Sequence, residues 1–528
     1  MREIEFNGRA RVANPSALGV FVRAAMPCRI TNMSNLPYSF RLLAAVTVVT
    51  LLPHVVPAQN AFSPGGVEYP ITGALPGDQS MPAASVGTNG GYLVWEGNAI
   101  DGAGLGIQME RLDGNFNKLS NPFRVNAQAV GDQEQPDVAK LSNGGAVVVW
   151  QGGQYGFQKI YARILPAAGT NFSTGDILVN SYTNSFQIDP SVTVLTNGDI
   201  VVVWSSFGQD GSLQGIYGQR FNPSGAKLGG EFQINQFGLN NQRTPAVAAL
   251  ADGRFVVAWV SELQRALNSV DIYARVFDAS GLPVGNEFPV NTTLAYICAN
   301  PQVVGSPGGG FAVAWSQREG ATGNSFSSQF TVAGANIASD NSWDVYVRTY
   351  NSTSAALSGA VRMNTYSYGD QFAPQLGFFG KDYLAVWTSL GQDGSMEGIY
   401  GQFMSQSGQL AGVEFRVNTD YGSRQVNPTV ASDGVSRFLV VWSSYATSGN
   451  FDLFAREYDL IRVSISPTGQ GVKVSWNTRP GSTYQVQSSS DYSSWSAYGA
   501  ARYATGFSDS IDINSATSAS AYRVIRIQ

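Results

Sequence analysis

Apolar and polar positions in this chain alternate over short runs broken by glycine-rich turns, the pattern of β-strands rather than of amphipathic helices. The runs form a repeating set. A tryptophan closes one apolar run in each unit, at Trp95, Trp150, Trp204, Trp259, Trp315, Trp387 and Trp442, with spacings of 55, 54, 55, 56, 72 and 55 residues. In the third unit the pattern predicts strands over 190–195, 200–206, 215–221 and 231–235, the first two joined by an Asn197-Gly198 turn. The fourth unit repeats the order over 245–250, 255–260, 272–277 and 287–291 around Asp252-Gly253.

A four-stranded sheet of this size has two apolar faces and cannot bury both alone, so such units either stack into a solenoid or close around an axis as a propeller. The chain ends decide between them. The fourth strand ends in Asn126, Asn180, Asn235, Asn291, Asn364 and Asn418, six copies for seven tryptophans. The missing copy stands at the other end, where Gly66-Val67-Glu68-Tyr69-Pro70-Ile71-Thr72 matches Gly285-Asn286-Glu287-Phe288-Pro289-Val290-Asn291. The expected fold is therefore all-β: a seven-bladed β-propeller over 66–459, whose N-terminal strand completes the last four-stranded blade. From 461 to 528 the period breaks, and new strands are expected over 462–466, 472–476, 483–488 and 521–527, a second and smaller β-sandwich.

Composition agrees with strands and tight turns: 59 glycines, 12% aromatic and only 13% charged residues in 528. An apolar run over 42–52 follows Arg41 and precedes Val56-Pro57-Ala58, the layout of an export signal ending near residue 58. Met33 would give that signal a conventional start, which makes the first 32 residues an over-extended beginning. The run is too short to span a bilayer and no later one suffices, so no transmembrane segment is expected in the mature chain. No cysteine lies between Cys28 and Cys298 to carry a lipid. The mature protein, from about residue 59, is expected to be secreted, at the cell surface or periplasmic.

Removing residues 1–58 takes away six basic and two acidic residues and leaves a net charge of −9. Without clustered Lys and Arg, nucleic acid is not an expected partner. Cys298 would be the one remaining cysteine, which excludes an internal disulfide. The only histidine, His54, falls in the signal, so a Ser-His-Asp triad, a Cys-His pair and a histidine-liganded metal are excluded from the mature chain. A glycoside hydrolase or lyase using two carboxylates survives as the enzymatic alternative.

The elements Gln209-Asp210-Gly211-Ser212, Gly215-Ile216-Tyr217-Gly218-Gln219-Arg220-Phe221 and Gly230-Glu231-Phe232-Gln233-Ile234-Asn235 resemble a repeat family of large secreted and surface-associated bacterial β-propeller proteins. Gln392-Asp393-Gly394-Ser395 and the run that follows it repeat the match. The resemblance implies architecture and an extracellular setting, and no particular substrate. The terminal 68 residues, through Tyr484-Gln485-Val486-Gln487 and Tyr522-Arg523-Val524, resemble fibronectin type III-like modules.

In a four-stranded blade, the loops joining the second strand to the third and the fourth to the next blade lie on one face, where propeller ligands usually bind. Those loops carry Gln209, Asp210, Gln392 and Asp393, and Asp78, Asp132 and Asp370. Recurrence favours a turn-forming role for these side chains. The functional reading is polar recognition of carbohydrate or peptide. Calcium is the one cofactor such oxygen-rich loops invite, although Gln209-Asp210-Gly211 offers a single carboxylate. The fifth unit carries about 17 extra residues between Trp315 and Tyr346, with Phe326, Phe330 and Trp343, a candidate specificity element. The resulting expectation is a binding or adhesion scaffold for extracellular polysaccharide or surface protein.

Overall fold

The computed structural model describes residues 61–64, 66–294, 296–319, 342–379, 382–445, 449–491, 494–514 and 521–527. The expected export signal, Phe326 and Phe330 lie outside the described residues. The chain divides into two compact units, Met1–His54 and Val55–Gln528, and everything described belongs to the second.

Every regular element among the described residues is a strand. Seven four-stranded antiparallel units follow one another, each a simple meander of strands here lettered A to D from the axis outward. The third unit is Gln187–Val194, Ile200–Phe207, Gln214–Phe221 and Lys227–Gln233. Each A strand packs beside the A strands of its two neighbours, and that of the seventh unit packs beside that of the first, which closes the ring. Units four and five also share one parallel bridge, Val270 to Ile297.

The chain ends meet in the seventh unit. Its C strand, Phe451–Ile461, pairs with two N-terminal segments, β1 (Ala61–Pro64) and β2 (Tyr69–Pro70), which together serve as its D strand. The register is that of the fourth unit: Tyr69 stands opposite Ala455 as Phe288 stands opposite Ala274. The Gly66–Thr72 match thus identifies the closing strand, and β1 extends it.

Apolar cores lie between units rather than within them. Seven clusters each combine residues of two adjacent units, and each contains one of the seven repeating tryptophans, all fully buried. The tryptophans are packing elements, as their fixed place in the repeat implies.

The A strands depart from expectation in one respect. They begin about three residues before the proline at which the pattern starts them, so that the proline lies inside the strand. In every unit the pairing register shifts at this point, and the residue before the proline has positive φ, for example Gln135 at 53° and Thr244 at 49°. A β-bulge at an edge strand accommodates a residue that has no N–H to offer the ladder. Left-handed backbone at a β-branched residue such as Thr244 costs on the order of 1–3 kcal/mol.

Hydrogen bonds between units offset that cost. The bulge N–H of one unit is accepted by the side chain that follows the tryptophan of the unit before it: Gln135 by Glu96, Asp189 by Gln151, Thr244 by Ser205 and Ala373 by Ser316. Deeper in the ring, Val192 N–H donates to Asp137 and Val247 N–H to Ser191. At the outer rim, a D-strand acid accepts backbone N–H groups from the preceding unit. Glu287 caps Gln236 and Phe237, Asp176 caps Ala127 and Gln128, and Glu68 of the closing strand caps Thr419 and Asp420. Between units four and five, Val260 and Ala360 occupy the two acceptor positions, and there the backbone bridge of Val270 stands in for them.

Residues 463–526 form two further small sheets around a core of their own that includes Trp476, Tyr484 and Val524. The four expected strands are present, and Ser508–Asn514 adds one whose Ile511 and Ile513 alternate with polar residues too sparsely to stand out in the sequence. Arg479 and Arg526 pair with Glu457 and Asp459 on the last C strand of the ring. No helix among the described residues is long and apolar enough to cross a membrane.

Trp204→Ala is expected to lower stability by about 3–5 kcal/mol, the range for emptying a buried aromatic site, which urea unfolding of the variant would read. Deleting residues 59–72 would bare the last C strand as an unpaired edge. The expected result is a lower unfolding temperature together with self-association in light scattering.

Candidate functional site

The meander puts the two ends of each unit on opposite faces of the ring. One face, made by the A–B and C–D turns, is built from regular tight turns. In four units a C–D turn is organised by one Asp or Asn whose Oδ1 accepts two or more backbone N–H groups, as Asp113, Asn222, Asp278 and Asn351 do.

The opposite face carries the B–C loops and the D–A connections, and it holds the residues singled out from the sequence. Most of them are already engaged. Asp132 Oδ1 accepts from the Leu105 N–H, Asp78 Oδ1 from Phe451 and Asp370 Oδ1 from Trp343, so each D–A aspartate fastens the B–C loop of the preceding unit. Asp210 and Asp393 accept from Ser212 and Ser395 within their own turns, and Gln209 and Gln392 donate to Glu231 and Glu414. The recurring Asn closes the same system. Asn235 Oδ1 accepts from Ile216 N–H while its Nδ2 donates to the Gln242 side chain, and Asn180, Asn364 and Asn418 repeat this with Gln187, Gln371 and Gln425. In the fifth unit that glutamine position is taken by Cys298, which is buried, and burial pushes its thiol well above the usual range.

Trp343, at the far end of the fifth-unit insertion, lies half-buried under the Arg318 guanidinium, which sits 4.9 Å from its ring centroid. The sequence-derived residues therefore spread over several units and meet in pairs across loop junctions rather than at one point.

What the sequence reading did not single out is the apolar character of this face. Tyr155 and Phe157 in the second B–C loop are 91% and 64% exposed, and Tyr445 projects from the seventh. Tyr368 and Tyr421 stand exposed in D–A connections, and Leu213, Leu239, Leu267 and Met396 lie in loops on the same face. The loop periodicity located these positions; only the exposure pattern shows that they share a face.

Near the axis the same face is acidic around units one to three. Glu96 ends the first B strand and is almost fully buried, its two oxygens held by the Ser80 hydroxyl at 3.3 Å and the Gln135 N–H at 3.0 Å. Burial raises its pKa, and the neighbouring charges of Glu134 and Asp132 raise it further, against those two hydrogen bonds. Asp189 is also raised by burial, with Ser205, the Thr244 N–H and Arg243 acting in the opposite direction. Arg243 itself pairs with Glu262 at 2.8 Å. Among the described residues no group of three His, Cys, Asp or Glu side chains is placed to hold a metal ion.

No protein-family model matches this sequence, and no curated protein matches it. Solved structures with a similar course of chain include a polysaccharide lyase described as an ulvan lyase, 9% identical, with a TM-score of 0.47 over 73% of this chain and 95% of the lyase. Another is an α-L-arabinanase of Penicillium chrysogenum in complex with arabinobiose, 12% identical, with a TM-score of 0.42 over 66% and 99%. A third is a protein of unknown function from Dyadobacter fermentans, 12% identical, with a TM-score of 0.41 over 62% and 94%. The propeller itself follows from the strand pairing and the ring of inner-strand contacts in this chain.

Proposed function

We propose that this chain is an exported polysaccharide-recognising propeller that binds through the face formed by its B–C loops and D–A connections. In this reading residues 1–58 are removed on export, residues 66–459 form the binding ring, and residues 461–528 are a β-sandwich appendage that holds the ring to a surface or partner. The observation that carries the reading is the set of exposed aromatic side chains on that face, Tyr155, Phe157, Tyr368, Tyr421 and Tyr445. Such rings offer broad apolar area to the C–H faces of sugar rings, and the tyrosine hydroxyls remain free for polar contacts at the edge. The opposite face, made of Asx-organised tight turns, has no comparable display of aromatic residues. The acidic character of the mature chain and of the axial mouth disfavours a polyanionic ligand and favours neutral or weakly charged polysaccharide.

A second reading, hydrolysis or elimination on the same polysaccharide, is favoured by Glu96. A carboxyl whose pKa burial raises, next to a second carboxylate, is the arrangement an acid–base pair requires, and Glu96 with Glu134 fits it. In this second reading Glu96 is the acid, and the aromatic rim positions the chain.

Polysaccharides immobilised on an array should retain the chain from residue 59 onward. The double variant Tyr155→Ala with Tyr421→Ala should bind about tenfold more weakly, the weight of truncated aromatic anchors, at unchanged unfolding temperature because both side chains are exposed. Equal binding by the variant would remove the aromatic rim from the reading. Glycans retained in that assay can also be examined for released sugar. If turnover is seen, Glu96→Gln should reduce it by about 10²–10⁴-fold while leaving retention intact, and absence of turnover in the unaltered protein would leave binding as the function.

A further inference from the structure

One position in the repeat changes sign at the place where the ring is closed. Two residues before the tryptophan, strand B pairs with a strand C residue that in four units is arginine: Arg163 opposite Val148, Arg275 opposite Val257, Arg348 opposite Val313 and Arg456 opposite Val440. Each arginine reaches across to the preceding unit and donates to a backbone carbonyl one residue past the end of its D strand. The acceptors are Val125 at 2.5 Å, Ile234 at 2.9 Å, Val290 at 2.8 Å and Val417 at 2.8 Å. Units three and six have Gln219 and Gln402 there, uncharged side chains whose amides donate within their own unit, to the Arg220 and Gly229 carbonyls and to the Phe403 and Ala411 carbonyls.

In the first unit the residue is Glu110, paired with Leu93. The preceding unit in the ring is the seventh, so the segment Glu110 faces is the N-terminal closing strand, and the equivalent carbonyl is that of Ile71. Leu93, Trp95, Tyr69 and Ile71 share one core at this junction. Glu110 has no exposed surface, and neither carboxyl oxygen has a hydrogen-bond donor to accept from. The buried Tyr69 hydroxyl beside it is likewise without a partner. An ionised carboxylate in this position would be a buried charge that accepts no hydrogen bond and has only Lys118 to offset it, a costly arrangement. A protonated one carries a donor, as the arginine of the four sister units does.

We propose that Glu110 is a proton-controlled latch on the closing strand: its protonated carboxyl takes the place of the arginine of the sister units, and loss of that proton loosens the seam where the two chain ends meet.

The surrounding charges fit this role. From its own unit Lys118 faces Glu110 and favours ionisation, although its ammonium also reaches the Thr72 carbonyl at 3.4 Å, and Asp113 stands nearby in the C–D turn. From the closing strand comes Tyr69, from the last C strand Glu457, and from the appended sandwich Arg479, which is paired with Glu457. Burial outweighs Lys118 and pushes the Glu110 carboxyl up to about 8. The sign of the linkage follows. In the unfolded chain Glu110 ionises in the ordinary carboxylate range, so between that range and about pH 8 the folded form holds a proton that the unfolded form has lost. Stability therefore falls as pH rises across this window and levels off above it.

The test compares the full chain with Glu110→Gln, which keeps a donor at every pH, and Glu110→Arg, which restores the residue of the sister units. Urea unfolding from pH 5.5 to 8.5 would give the folding constant of each. The ratio of wild type to Glu110→Gln is expected to fall progressively, by up to about tenfold per pH unit, and to flatten above pH 8. Cleavage by protease within residues 64–73 should accelerate in wild type between pH 6 and 8.5 more than in the variant. A wild-type-to-variant ratio that stays constant with pH would overturn the proposal. If Glu110→Gln fails to fold, Glu110→Arg provides the same comparison, and parallel pH profiles there would overturn it equally.

Discussion

A small antiparallel sheet has two unpaired edges and two apolar faces, and everything in this ring follows from how those are covered. Face burial comes from the neighbouring unit through one tryptophan per junction. The inner edge is covered in a less obvious way. Strand A has no partner on its axial side, and the proline bulge turns one N–H of that edge toward the unit before it, where a side chain following the tryptophan accepts it. In these four units the strained residue before the proline is therefore the means by which an edge strand acquires a neighbour.

The same logic shows one junction to be built differently. The junction between units four and five lacks both the acceptor after the tryptophan and the D-strand acid, having Val260 and Ala360 in those places. Their sheets are joined instead by a main-chain bridge. The fifth unit is also the one that carries the long insertion and replaces the recurring glutamine with Cys298.

The loop face is organised by this division of labour. Asp78, Asp132, Asp370 and the Gln-Asp turns fix loop backbones of five units, and Tyr155, Phe157, Tyr368 and Tyr421 stand exposed on the same face. Polar residues that recur between units serve the scaffold, and the aromatic residues that vary between units face solvent. At the axis, Glu96 belongs to both systems: it laces unit one to unit two, and it retains a raised pKa in doing so.

The sequence by itself determined the repeat, the all-β class, the seven tryptophan positions and the closing strand at Gly66–Thr72. Each of these depends on local spacing, which the chain displays directly. It also located the loops, because turns announce themselves through Gly, Asn and Asp. Tertiary structure alone decided which polar side chains were engaged and which face displayed aromatic residues, since a hydrogen bond from Asp132 to Leu105 or from Asn235 to Gln242 joins residues that no short motif links. It also decided the meaning of Glu110. In sequence that residue is one acid among 37, and only the register that sets it where other units place arginine, against a strand from the far end of the chain, makes its burial without a partner a property of ring closure.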